Sequence, residues 1–174
     1  NANAKPYTRR FIRRLRCAHC TTQPCAWVWR GLHRHITMHI ELWHGGTFGA
    51  GGVGLAAIQG AAIAGAGRII AVDTEGWKLD LARRIGATDS VNGGDGDAVA
   101  AVREMTGGGV DYAFEAIGLK QTIRQAFDMA RKGGTTVMVG VTAVGVDVEL
   151  PGFDIVVSEK KILGSLMGSN AFRV

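Results

Sequence analysis

Three observations predict a doubly wound α/β fold on a parallel sheet. Strand-like and helix-like runs alternate, the first helix opens on spaced glycines, and the second strand ends in an acid. The chain has 174 residues, 47% of them hydrophobic, enough to bury one ordinary core and too few for two large domains.

The glycines are Gly49, Gly51 and Gly54 in Phe48-Gly49-Ala50-Gly51-Gly52-Val53-Gly54, a G-x-G-x-x-G run that leads into an apolar helical stretch. In such a dinucleotide-binding fingerprint the first glycine permits a tight turn out of a strand. The second lets the backbone approach a pyrophosphate, and the third lets helix and sheet pack closely. The phosphates then lie on the helix N-terminus, where unpaired N–H groups and the helix dipole favour an anion.

Leu55, Ile58, Ala62 and Ala66 continue an apolar face at helical spacing until Gly65 and Gly67 stop it. The next run, Arg68–Asp73, is a buried strand ending in an acid. Asp73 lies 19 residues after Gly54, where a carboxylate accepts both hydroxyls of an adenosine ribose. The competing role for Asp73 is to cap the following helix. That helix spans residues 77–85 and closes on Gly86, and Asp89–Asn92 is a short third strand. The second half repeats the alternation with a helix at 98–105, a strand at 110–116, a helix at 122–130 and a strand at 135–141. Gly118 and Gly140 fall at strand C-termini, the ligand-binding edge of a parallel sheet. Residues 162–167 read as a last strand.

Upstream of the fingerprint the chain changes character. Residues 1–48 hold Lys5 and seven arginines against Glu41 alone; with +5 for the whole chain, residues 49–174 carry −2. All five histidines, all three cysteines and three of four tryptophans fall in the same segment. A solvated basic tail is the plainest reading, ahead of a nucleic-acid-binding arm or an Arg-rich transit peptide, since neither has a second supporting feature. Cys17, Cys20 and Cys25 resemble zinc ligands in spacing but lack a second spaced pair, so no metal site is expected. A buried parallel strand normally precedes the fingerprint, yet of residues 40–48 only Thr47 and Phe48 suit one, so the first strand is expected to be degenerate. Residues 1–47 are therefore set apart from a dinucleotide-binding domain at 48–174, with disorder or a shifted reading frame as explanations.

No run approaches the roughly 18 apolar residues of a membrane span, and no signal peptide is evident. Three cysteines, an odd number, make no secreted disulfide framework. A soluble cytoplasmic protein is the expectation.

Residues 48–174 resemble the cofactor-binding domain of the zinc-type medium-chain alcohol dehydrogenases, including the class acting on formaldehyde adducts of small thiols. The segments that carry the resemblance are the fingerprint, Arg68–Asp73, Gly86-Ala87-Thr88-Asp89 with Val91 and Asn92, Phe114-Glu115-Ala116-Ile117-Gly118, and Val139-Gly140-Val141. It implies NAD as cofactor, with the pyrophosphate at Gly51, Gly52 and Val53 and the adenosine ribose at Asp73 and Lys78. It places Ile117 and Gly118 along the path to the nicotinamide, and Val139, Gly140, Val141, Ser165 and Met167 at the nicotinamide end. Leu119 departs from the arginine that many members carry. The family's zinc polarises an alcohol or carbonyl oxygen, but no credible ligand trio is found in this sequence, so no catalytic residue is assigned and the chain is expected to be inactive alone. The Tyr-x-x-x-Lys pair of short-chain dehydrogenases is missing. By resemblance, residues 162–167 form the edge through which such domains pair as homodimers. The readings outside this class are a non-catalytic nucleotide-binding module whose basic arm holds nucleic acid, and a methyltransferase, which the second βαβ half disfavours.

Overall fold

The computed structural model describes residues 44–166. Eleven elements follow one another in these residues: β1 (His44–Phe48), α1 (Gly52–Ile63), β2 (Arg68–Asp73), α2 (Gly76–Ile85), β3 (Asp89–Asn92), α3 (Ala98–Thr106), β4 (Val110–Glu115), α4 (Lys120–Met129), β5 (Ala130–Met138), α5 (Gly152–Val157) and β6 (Lys161–Gly164). All strands pair in parallel, in the order β3-β2-β1-β4-β5-β6. This is the doubly wound order of dinucleotide-binding folds, which reverses direction between β1 and β4 and opens a crevice beyond their C-terminal ends.

Strand alternation divides the core between the two faces. Ile69 and Ala71 of β2 pack with Ala57, Ile58 and Ala61 of α1 and Leu79 and Ala82 of α2. The intervening Ile70 and Val72 pack on the other face with Ala98 and Val102 of α3 and Ala126 and Met129 of α4. A strand buried on both sides reads as a continuous apolar run, which is why Ile69 to Val72 were legible as one.

The first strand forms despite its poor composition. Its five residues are His44-Gly45-Gly46-Thr47-Phe48, paired with β2 on one side and β4 on the other. Gly46 is tolerated because neighbours occupy the space that a side chain would fill. A Cβ on Gly46 would stand 2.6 Å from Met129 Sδ and 3.4 Å from Val110 Cγ1. Thr47 and Phe48 are buried, and Asp111 holds the strand's start by accepting from the His44 N–H at 2.8 Å.

Other departures are smaller. The fifth strand starts earlier than predicted and stops at Met138, so residues 139–141 form a loop rather than a strand end. The last strand ends at Gly164, leaving Ser165 just beyond it. Helix α5 had no sequence signal, being six residues long and buried nowhere along its length. Met167, Cys17, Cys20, Cys25 and the rest of residues 1–43 lie outside the described residues.

Candidate cofactor-binding site

The fingerprint turn is held by contacts that only glycine permits. Gly49 leaves β1 with φ +89°, and its N–H donates to the carbonyl of Val72 at 2.8 Å. A Cβ on Gly54 would meet the Gly49 carbonyl oxygen at 1.6 Å and its carbon at 2.8 Å, so α1 can cross this close to β1 only without a side chain there. Gly51 and Gly52 differ: a Cβ at either position would meet nothing within 4 Å, so the space above the loop is open. Gly51 caps α1 with no side-chain hydrogen bond, and the first turn carries no acid. Among the described residues no carboxylate therefore competes for the first N–H groups of α1, the arrangement an anion needs at a helix start. Val53 is exposed beside them.

Asp73 ties this loop to the end of β2. Its Oδ2 accepts the Ala50 N–H at 2.8 Å, its Oδ1 accepts the Glu75 N–H at 3.0 Å, and Lys78 Nζ stands 3.5 Å from Oδ1. The Asp73 side chain is only 8% exposed. Burial on its own would raise the Asp73 pKa. The two N–H donors and the lysine outweigh it and keep the carboxyl below its ordinary value, hence ionised at neutral pH. The capping role is excluded, because the N-cap of α2 is Glu75 and no side chain caps it. Asp73 instead joins the fingerprint to the turn that carries Lys78, and its Oδ2, which takes one donor, keeps acceptor capacity for a hydroxyl, while Oδ1 already takes both the Glu75 N–H and the Lys78 ammonium.

The far side of the crevice is built on Glu115, a residue to which the sequence alone assigned no role. Glu115 closes β4 and is fully buried, accepting at Oε1 from the Ile117 N–H (2.9 Å), the Gly118 N–H (2.9 Å) and the Thr122 hydroxyl (2.7 Å). Its backbone carbonyl takes the Val139 and Gly140 N–H groups at 2.8 and 2.9 Å. Side chain and backbone together lock two loops to one strand end. Gly118 (φ +86°) and Gly140 interlock so tightly that a Cβ on Gly140 would lie 2.2 Å from the Gly118 nitrogen, and one on Gly118 2.4 Å from the Val141 oxygen. The signal for Glu115 was an acid at the end of a strand, followed three residues later by glycine.

Ile117 joins the two sides, since a Cβ on Gly49 would fall 2.6 Å from Ile117 Cγ1. Gly49, Gly51, Gly52, Val53, Gly54, Asp73, Lys78, Ile117, Gly118, Val139, Gly140 and Val141 thus all lie along one edge of the sheet, at the C-terminal ends of β1, β2, β4 and β5. Ser165 adjoins them, its N–H donating to the Met138 carbonyl at 2.8 Å. Leu119, where the family often has arginine, is the exposed N-cap of α4.

The described residues fit a dinucleotide but not zinc. Open space lies over Gly51 and Gly52, and a nearly buried carboxylate with a spare acceptor at Oδ2 stands at the adjacent strand end. Among the described residues, no three His, Cys, Asp or Glu side chains come together in a way that could hold a metal.

Comparison with known proteins agrees with this architecture. Residues 52–174 match the family model described as zinc-binding dehydrogenase. The S-(hydroxymethyl)glutathione dehydrogenase of Synechocystis sp. is 44% identical over 124 residues, 70% of this chain and 33% of the relative. Alcohol dehydrogenase-like 5 of Arabidopsis thaliana is 37% identical over 158 residues, 88% of this chain and 39% of the relative, an alignment that extends into the residues before 48. A solved structure from Sinorhizobium meliloti 1021, described as a zinc-binding dehydrogenase bound to NADP, superposes with a TM-score of 0.77 at 34% identity, covering 82% of this chain and 42% of that one. The chain spans between a third and about two fifths of these proteins' lengths. With its sheet order, its glycine turn and most of its length matched, the chain belongs to the zinc-binding dehydrogenase family and carries that family's nucleotide-binding domain.

Proposed function

We propose that this chain binds NAD(H) in the crevice above β1, β2 and β4 and serves hydride transfer between an alcohol or aldehyde and the nicotinamide. The observation that carries the choice of NAD is Asp73, an ionised and nearly buried carboxylate at the ribose position. There it accepts the ribose hydroxyls and repels a 2′-phosphate. Thr74 and Glu75, which follow it, supply no arginine to receive that phosphate. Among the described residues Lys78 is the one cation paired with it, and it is already directed at Asp73. A solved relative of the same fold is described as bound to NADP, so the choice of NAD rests on these side chains.

When bound, the dinucleotide supplies the hydride acceptor. The chain's own residues hold its pyrophosphate over Gly51, Gly52 and Val53 and its adenosine ribose at Asp73 and Lys78. They direct its nicotinamide end toward Val139, Gly140, Val141 and Ser165. The described residues supply no zinc site, so metal-assisted polarisation of the substrate is assigned to none of them. Pairing through β6 into a homodimer and a cytoplasmic location complete the reading; no helix among the described residues is long and apolar enough to cross a membrane.

Titration calorimetry of the purified chain tests the cofactor. NAD(H) binds more tightly than NADP(H), and Asp73→Ala narrows the gap. Equal or reversed affinities in the unmodified chain would overturn the reading.

A further inference from the structure

Two strand-end acids of unlike surroundings border the crevice. Asp73, at the end of β2, has one oxygen to spare and Lys78 beside it. Glu115, at the end of β4, is fully buried, and no lysine or arginine among the described residues pairs with it. Taking a carboxyl group out of water without a cation is costly, and a well-packed apolar side chain would avoid that cost. What Glu115 supplies instead is order in the loop backbone. Its Oε1 accepts from the Ile117 and Gly118 N–H groups and from the Thr122 hydroxyl, and Oε2 stands 3.1 Å from the Gly118 nitrogen. Oε2 also lies 2.7 Å from where a Cβ on Gly140 would stand, so the side chain fills the space between the turn after β4 and the loop after β5. A residue with no exposed surface offers a ligand nothing directly; Glu115 reaches one only through the two loops it holds.

We propose that Glu115 is a positioning residue for the nicotinamide half of the dinucleotide, holding the turn at 117–118 and the loop at 139–141 in the shape that receives that half before it arrives. This role rests on the dinucleotide reading above and deepens it. A loop already held in its bound shape loses less freedom on binding, which raises affinity. Glu115 and Asp73 share no hydrogen-bond partner, so the gain belongs to one half of the ligand. The adenosine end depends on β2 and the fingerprint, and the nicotinamide end depends on Glu115.

The probes are AMP, which has only the adenosine half, and NAD, which has both. Each is titrated by calorimetry into the unmodified chain, E115Q, T122V and T122S, with folding checked by circular dichroism. E115Q keeps the shape of the side chain but sets a buried amide NH2 where Oε2 stood, beside the Gly118 N–H. Its NAD affinity falls by about tenfold, the scale of one buried donor left without a partner. Its AMP affinity stays within about twofold, because the two acids share no partner. T122V, which removes the hydroxyl donor alone, lowers the ratio of NAD to AMP affinity by about threefold. T122S keeps a hydroxyl and restores the ratio. Emission of saturating bound NADH, which reports the surroundings of the nicotinamide, is enhanced less in E115Q than in the unmodified chain. Should E115Q fail to fold, the T122V and T122S ratios decide the matter. A ratio unchanged in the folded variants, or equal losses of both ligands, would overturn the role of Glu115 while leaving the dinucleotide site intact. Failure of the unmodified chain to bind either AMP or NAD would overturn both.

Discussion

The carbonyl oxygen of Gly49 occupies the space that a Cβ of Gly54 would need, 1.6 Å from where that atom would stand. Strand β1 and helix α1 approach each other backbone to backbone at this point. The contact fixes the direction in which the helix start faces the crevice. Gly51 and Gly52, three and two residues before Gly54, have nothing within 4 Å of where a methyl group would stand, so packing within the fold does not require glycine at either position.

That contrast predicts opposite phenotypes for two alanine substitutions. Gly54→Ala forces β1 and α1 apart and lowers the melting temperature by several degrees, the scale of an overpacked core site at about 1–3 kcal/mol. Gly52→Ala sits at the start of α1 in open space and leaves the melting temperature unchanged or raises it, since alanine is the better helix former by about 0.5–1 kcal/mol. On the proposed site its methyl group projects where the pyrophosphate would approach, so the expected outcome is an NAD affinity lower by about tenfold or more. Thermal denaturation and calorimetry on the two variants separate the roles. A stable Gly54→Ala, or a Gly52→Ala that binds normally, would contradict the assignment.

How much was legible in the sequence follows from which interactions are local. Strands β2 and β3 coincide with their predicted bounds, because an apolar run or a short strand between glycine and turn residues declares itself within a few positions. Gly86 ends α2 as predicted, with φ +134° at its C-cap. The glycines and Asp73 were legible for the same reason, as a fixed spacing. Strand β1 was legible only as a degenerate one, because what makes His44–Phe48 a strand is non-local: pairing on both edges, and Met129, 83 positions after Gly46, filling the space beside it. The role of Glu115 was hidden likewise. Nothing in the local sequence says that a strand-end acid will turn inward and gather Ile117, Gly118 and Thr122.

The replacement of strand side chains by Met129 can be tested directly. Met129 is fully buried against Gly46, and Met129→Ala opens a cavity costing about 2–5 kcal/mol. Gly46→Val alone thrusts a branched side chain at Met129 Sδ and Val110, an overpacking loss of about 1–3 kcal/mol. Together the two changes exchange one filling group for another. The double variant is then less destabilised than the sum of the singles, by about 1 kcal/mol or more. Denaturant unfolding of the three variants and the unmodified chain measures this coupling. Additive losses would mean that Met129 and Gly46 do not share the same space.

Acid stability follows from the opposite end of the sheet. Arg68 and Asp89 open β2 and β3 and meet through two hydrogen bonds, Nε to Oδ2 at 2.8 Å and Nη2 to Oδ1 at 2.9 Å, while the Thr88 hydroxyl donates to Oδ2 at 2.6 Å. Arg68 Nη1 also donates to the Met105 carbonyl, which binds the pair to the end of α3. The Arg68 hydrogen bond, helped by Thr88 and opposed by burial, takes the Asp89 pKa from 3.8 to about 2. A carboxyl whose folded pKa lies below its unfolded one stabilises the protein above the unfolded value and loses that stabilisation as pH falls toward the folded value. For Asp89 the window runs from about pH 4 down to about pH 2. At 1.36 kcal/mol per pKa unit, and reduced because both side chains are partly exposed, the pair contributes about 1–2 kcal/mol at neutral pH. Asp89→Asn removes the charge at every pH, so the variant is less stable than the unmodified chain by that amount at pH 7. The difference shrinks between pH 4 and pH 2 and is nearly gone at the bottom of the window. Asp73, also held below its ordinary value, loses its own contribution over the same descent in both proteins and so cancels from the comparison. Urea unfolding of the two proteins at pH 7, 4, 3 and 2 checks the sign. A stability gap that stays constant or widens as pH falls would show that Arg68 and Asp89 are not coupled in the folded protein.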